Sequence, residues 1–130
     1  LSVSGLKLLL IISLGTLFWA LLFLSVAVWC RTQTMLGDIW ARLIAPMYSF
    51  GCTFFPWGAI YRNAPTVAKL LLLNPMTHCV EALRSALLGG TQYVPFALSG
   101  AVLSVYCLVF YCFFYYALRR RLNAVTERRV

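Results

Sequence analysis

Residues 8–30 run for 23 positions without a charged side chain, and fourteen of them are Leu, Ile, Val or Phe. At about 1.5 Å per residue, a helix of that length crosses a hydrocarbon core of about 30 Å. Each of the fourteen favours the bilayer by about 0.3–0.6 kcal/mol, which outweighs the cost of Ser13, Thr16 and Ser25. The run exceeds the apolar region of a secretory leader, no small-x-small cleavage site follows it, and Trp29 ahead of Cys30 argues against a lipoprotein cleavage site.

The rest of the chain has the same character. Of 130 residues, 62% are hydrophobic and 11% charged. A soluble domain of this size has too little interior to hide so much apolar surface. Eleven Lys and Arg against three acids (Asp38, Glu81, Glu127) give a formal charge of +8. In a soluble protein that excess would suggest nucleic acid. Here five of the eleven (Arg119, Arg120, Arg121, Arg128, Arg129) fall in the last twelve residues behind an aromatic-rich apolar run. That is the order at a cytoplasmic membrane face, so no nucleic-acid partner is expected.

The pattern predicts an all-α, polytopic membrane protein with three transmembrane helices in a single membrane domain, residues 1–130. The first span is residues 8–30. The second, about 39–61, contains a 19-residue uncharged run with Pro46, Gly51, Pro56 and Gly58, and is expected to bend near Pro46. The third, about 93–118, ends in Tyr and Phe residues and then Arg119–Arg121, with a basic cytoplasmic tail at 119–130.

Between the second and third spans, residues 63–89 are apolar but too interrupted to cross. Asn63 is expected to cap a short helix ending near Leu73. Asn74 then caps a second helix, with Pro75 at its first position and Gly89 stopping it. Two helices of about 15 and 21 Å make an outer re-entrant or interfacial hairpin. Met76, Val80, Leu83 and Leu87 lie on one side of the second helix, and His78, Glu81, Arg84 and Ser85 on the other. Glu81 and Arg84 stand three apart and can pair. Two readings stay open: the charges face protein or a water-filled path, or the helix lies in the headgroup layer with its charges in water.

Placing the C-terminus in the cytoplasm gives that side seven basic residues near the span ends, against Lys7, Arg62, Lys69 and Arg84 opposite. With three crossings Leu1 is then outside, which leads to the expectation that the chain is the C-terminal part of a longer protein. The five cysteines form no C-x-x-C pair and read as small hydrophobes. No Gly-Lys-Ser/Thr follows a glycine-rich turn, so no ATP hydrolysis and no cofactor is expected in this chain. The lone His78 has no second His and reads as a structural or gating residue rather than a metal ligand.

The run NPMTHCVEALRSALLGG at residues 74–90, with Phe54-Phe55-Pro56 about twenty residues earlier and one last span with an arginine tail, resembles the ABC-2 type transporter permeases. These are membrane subunits of ATP-driven exporters of polysaccharides, lipo-oligosaccharides and drugs. The resemblance covers residues 8–121 and matches the family's last three spans. It implies a six-span subunit of the bacterial inner (plasma) membrane, a second permease copy in a homodimer, a cytoplasmic ABC ATPase partner, contact with membrane lipid, and outward movement of a lipid-linked, saccharide or amphiphilic substrate. Phe54, Phe55, Trp57 and Tyr61 would line or close the path, with Pro56, Asn74, Pro75, His78, Glu81 and Arg84 as further pathway or gating candidates. A lipid-facing belt is the other reading of the aromatics. A membrane anchor or assembly protein without transport activity is the alternative function. A lipid-modifying membrane enzyme is disfavoured by three acids and one His.

Overall fold

The computed structural model describes residues 5–89 and 92–127, and among them every regular element is helical. The longest elements are α1 (Gly5–Trp29) and α7 (Phe96–Glu127). Among the described residues, only these two are long and apolar enough to cross a bilayer, α7 over Phe96–Asn123. α1 is apolar on every side, with Leu9, Leu17, Phe23 and Leu24 turned away from the protein, as lipid rather than water requires.

The two helices pack antiparallel. At one end Lys7 Nζ sits 5.9 Å from the ring centre of Phe96; at the other Trp29 meets Phe113 at 6.2 Å and Arg121 Nη2 donates to the Cys30 carbonyl at 3.4 Å. The seam uses Ile11, Phe18, Leu22 and Ser25 of α1 against Ser99, Leu103 and Cys107 of α7. Steps of three, four and seven residues keep each set on one face. Phe18 is wholly buried, with edge-on contacts to Tyr106 and Phe110 at 6.2 and 5.8 Å. The Ser25 hydroxyl donates to Leu21 at 2.7 Å and lies 3.3 Å from the Phe110 carbonyl. In lipid these packing and polar contacts hold the pair, since burying Leu against Leu removes no water.

After α1 the chain turns at Thr32, whose Oγ1 accepts from the Met35 amide at 3.3 Å and caps α2 (Gln33–Ile39). A π-helical turn (Trp40–Ile44) and α3 (Ala45–Ser49) continue the same helical path. Pro46 explains the widening. It has no amide to give Arg42 and its ring crowds that carbonyl, so the ladder shifts and the Ala45 amide bonds to Trp40 instead. The expected bend at Pro46 is therefore a π-turn.

The expected second span of residues 39–61 is not one continuous helix. It stops at Ser49, about 26 Å after Gln33, and resumes only at α4 (Trp57–Asn63). Gly51 and Cys52 explain the stop: a Cβ at Gly51 would collide with the Met76 side chain, and Cys52 takes a left-handed backbone with φ 56°.

α5 (Pro65–Leu71) and α6 (Pro75–Leu88) complete the chain before α7. The first cap differs from expectation: Ala64, not Asn63, precedes α5, because Pro65 takes the first helical position while Asn63 ends α4 and donates back to Ala59 at 3.0 Å. The second cap is as expected in its local geometry. Asn74 Oδ1 accepts from the Met76 amide at 3.0 Å, and Gly89, at φ 66°, ends α6. The last helix does not stop at residue 118 but runs through the arginines to Glu127. Arg, Leu and Ala are strong helix formers, so nothing in 117–122 ends it. Residues 128–130, in the expected tail, and Gly90 lie outside the described residues.

Candidate functional site

α6 lies between α1 and α7, with Ala82 in the same core as Ile11 and Leu103, and Gly15 facing the Cys79 sulfur. Its polar face is the one turned inward. Thr77, His78, Glu81 and Ala82 are buried, whereas Leu83, Leu87 and Leu88 are exposed. Of the two readings open from sequence, the geometry takes the one in which the charges face protein. The physical reason is that the loop before α4 and the link before α7 offer α6 more backbone groups than apolar side chains.

Glu81 is 0% exposed and bonds with both carboxylate oxygens. Oε1 accepts from the Trp57 amide at 3.0 Å and from Arg84 Nη1 at 2.8 Å; Oε2 accepts from the Val94 amide at 3.3 Å. The Trp57 amide belongs to the first turn of α4, where no carbonyl of that helix can reach it. Arg84 turns the other way along the 50–56 loop. Nη1 donates to the carbonyls of Cys52 at 2.6 Å and Phe55 at 3.4 Å, and Nη2 to Thr53 at 2.7 Å. One ion pair thus binds three stretches of chain: the loop, α6 and the link to α7. It also holds the left-handed Cys52 in place.

Two further polar side chains fix the lower part of α6. His78 Nε2 donates to the Leu72 carbonyl at 2.8 Å, a role only the Nε2–H tautomer can fill, which leaves Nδ1 to accept from the buried Ser99 hydroxyl at 3.4 Å. Asn74 Nδ2 donates to the Met47 carbonyl at 2.6 Å, one of the last carbonyls of α3, which the helix itself leaves free. Tyr106 donates to the Leu73 carbonyl at 2.6 Å. Tyr106 lies ten residues, or about 15 Å of helix, beyond Phe96. The α5–α6 turn thus sits at that depth along the bundle, while Glu81 meets Val94 at its rim.

The aromatic candidates part company. The Trp57 indole donates to the Ala68 carbonyl at 2.8 Å and stacks on Tyr61 at 4.9 Å, closing α4 on α5. Phe54 and Phe55 are 76% and 67% exposed and edge a shallow groove of about 240 Å³ against Ile60, Val67 and Leu71. Pro56 precedes α4 in an extended conformation, and Pro75, buried, opens α6. The structure therefore brings Trp57, Asn74, Pro75, His78, Glu81 and Arg84 into one region and leaves Phe54 and Phe55 outside it.

Gly58, Val94 and Ser99 were not foreseen as partners. A Cβ on Gly58 would collide with the Gln92 carbonyl, so this glycine lets the link before α7 cross α4 at backbone contact. A glycine one residue into a short helix hints at such a crossing; nothing in the sequence around Val94 or Ser99 does.

A family model, ABC-2 type transporter, matches residues 1–88, from before α1 to the last residue of α6. The chain belongs to the ABC-2 type transporter family. No curated protein and no solved structure matches it. Membership makes this chain a membrane protein and a permease component of an ABC transporter, whose membrane domains generally work with an ABC ATPase. The Glu81–Arg84 centre lies within the matched residues and α7 beyond them.

Proposed function

We propose that this ABC-2 permease exports a lipid-linked, saccharide or amphiphilic substrate from a bacterial inner membrane. In this reading two copies form the path and a separate cytoplasmic ATPase hydrolyses ATP. α1 and α7 cross the bilayer, and the α2–α3 path, which returns along α1 from the Trp29 end to the level of Asn74, makes the remaining crossing with the 50–56 loop. The basic count then puts residues 119–130 in the cytoplasm and the α4–α6 region on the outer side as a re-entrant hairpin.

The observation that carries the reading is the depth of the α5–α6 turn. Its tip meets Tyr106, ten residues along α7 from Phe96, and Met47, yet α6 ends near the start of α7. A hairpin laid on the surface would touch only the first turn of α7. With its polar face inward and its ion pair joining three segments, the hairpin is built to move as a unit when the crossings shift.

Reconstitution of the permease with its ATPase tests this. ATP-dependent outward flux, lost on Glu81→Ala, is expected. Stable ATPase binding without flux would leave the anchor reading instead. Impermeant thiol labelling of a cysteine at Ala124 should occur only from the cytoplasmic side, and labelling from outside would overturn the topology.

A further inference from the structure

The end of the α1–α7 pair away from the hairpin carries a second feature. A cleft of about 610 Å³ opens there between the end of α1, the start of α2 and α7, lined by Trp29, Arg31, Phe113, Tyr116, Arg120 and Arg121. Its size falls within the range of about 300–1,000 Å³ typical of ligand sites. Arg121 is engaged with the Cys30 carbonyl. Among the described residues, the side chains of Arg31 and Arg120 have neither an acidic partner nor a hydrogen bond. Three positive charges thus converge on a cleft whose remaining walls are apolar, three aromatic rings beside Val28, Met35 and Ala117.

Helix length sets the depth of this cleft. Lys7 to Arg31 and Phe96 to Arg120 are each 24 residues, about 36 Å along antiparallel helices whose other ends meet at Lys7 and Phe96. A hydrocarbon core of about 30 Å leaves Arg31 and Arg120 together in the headgroup layer. The wall below them is apolar and outward-facing: Trp29, Phe113 and Tyr116 are all exposed. A soluble anion has no use for that wall, whereas acyl chains can lie along it.

We propose that the cleft binds an anionic phospholipid of the adjacent leaflet, its phosphate between Arg31 and Arg120 and its chains against Phe113 and Tyr116. Basic pockets between membrane helices at a cytoplasmic face recognise headgroups in this way. The site rests on the chain lying in a membrane and not on the export reading.

Native mass spectrometry of the detergent-solubilised full chain, titrated with short-chain phosphatidylglycerol and phosphatidylcholine, tests the proposal. Phosphatidylglycerol should bind more tightly. Arg120→Gln should weaken it about fivefold and Arg31→Gln/Arg120→Gln about twentyfold, with phosphatidylcholine binding unchanged. The double Lys variant should retain most of the preference. If the double Gln variant is poorly helical by circular dichroism, the exposed single change Arg120→Gln still decides. Equal binding of both lipids, equal binding of soluble glycerol phosphate, or unchanged phosphatidylglycerol binding by the Gln variants would each overturn the site. So would a Gln variant that loses the ATPase on co-purification while binding phosphatidylglycerol as before, since that assigns the cleft to a protein partner.

Discussion

Arg84 Nη1 stands 2.8 Å from Glu81 Oε1, one helical turn away, yet the two side chains serve different segments: Glu81 gathers the amides of Trp57 and Val94, and Arg84 the carbonyls of Cys52, Thr53 and Phe55. Neither residue can be removed without stranding backbone groups that the other cannot reach.

That division predicts unequal and coupled losses. Glu81→Ala should cost about 3–5 kcal/mol, because it leaves a cation and two amides without their acceptor. Arg84, partly exposed, should cost less, about 2–3 kcal/mol. The double variant should fall short of the sum by at least about 1 kcal/mol. Denaturant unfolding in detergent measures the cycle, and strict additivity would mean the pair is not coupled.

Gly58 should not accept a side chain. Gly58→Ala forces apart α4 and the Gln92 backbone, which has no rotamer to yield with, and should cost about 1–3 kcal/mol. Gly37→Ala in α2, where no atom lies within 4 Å of the added methyl, should be neutral or slightly stabilising. Equal melting temperatures for the two variants would show that α4 and the link do not touch.

Asn74 has two separable roles. Asn74→Asp keeps the cap on α6 but loses the donor to Met47 and sets a carboxylate against a carbonyl. Asn74→Ala loses both contacts, at about 1–2 kcal/mol. Replacing Asn74 and Pro75 together with Ala should let α5 and α6 fuse and should lower export further. If Asp behaves like wild type, the Met47 bond contributes nothing.

The sequence by itself determined the solvent, the two long helices and the start and stop of α6. These follow from local causes: uncharged runs longer than a bilayer is thick, an Asn-Pro start, and a glycine that reaches positive φ. The Glu81–Arg84 contact was also legible, because three residues is one turn. What α6 faces was not. The sequence left open whether its charges face protein or water, because where lipid is outside, leucines lose nothing by facing out, and the buried side goes to whichever residues can satisfy backbone groups. Only the tertiary structure could supply those groups, since Trp57, Val94 and Ser99 lie 13 to 24 residues away from their partners. The second crossing failed as a single helix for the same reason. Its nineteen uncharged residues spoke for a span, but the close approach of Gly51 to Met76 and the grip of Arg84 on Cys52 and Thr53, both made by distant chain, ended the helix at Ser49.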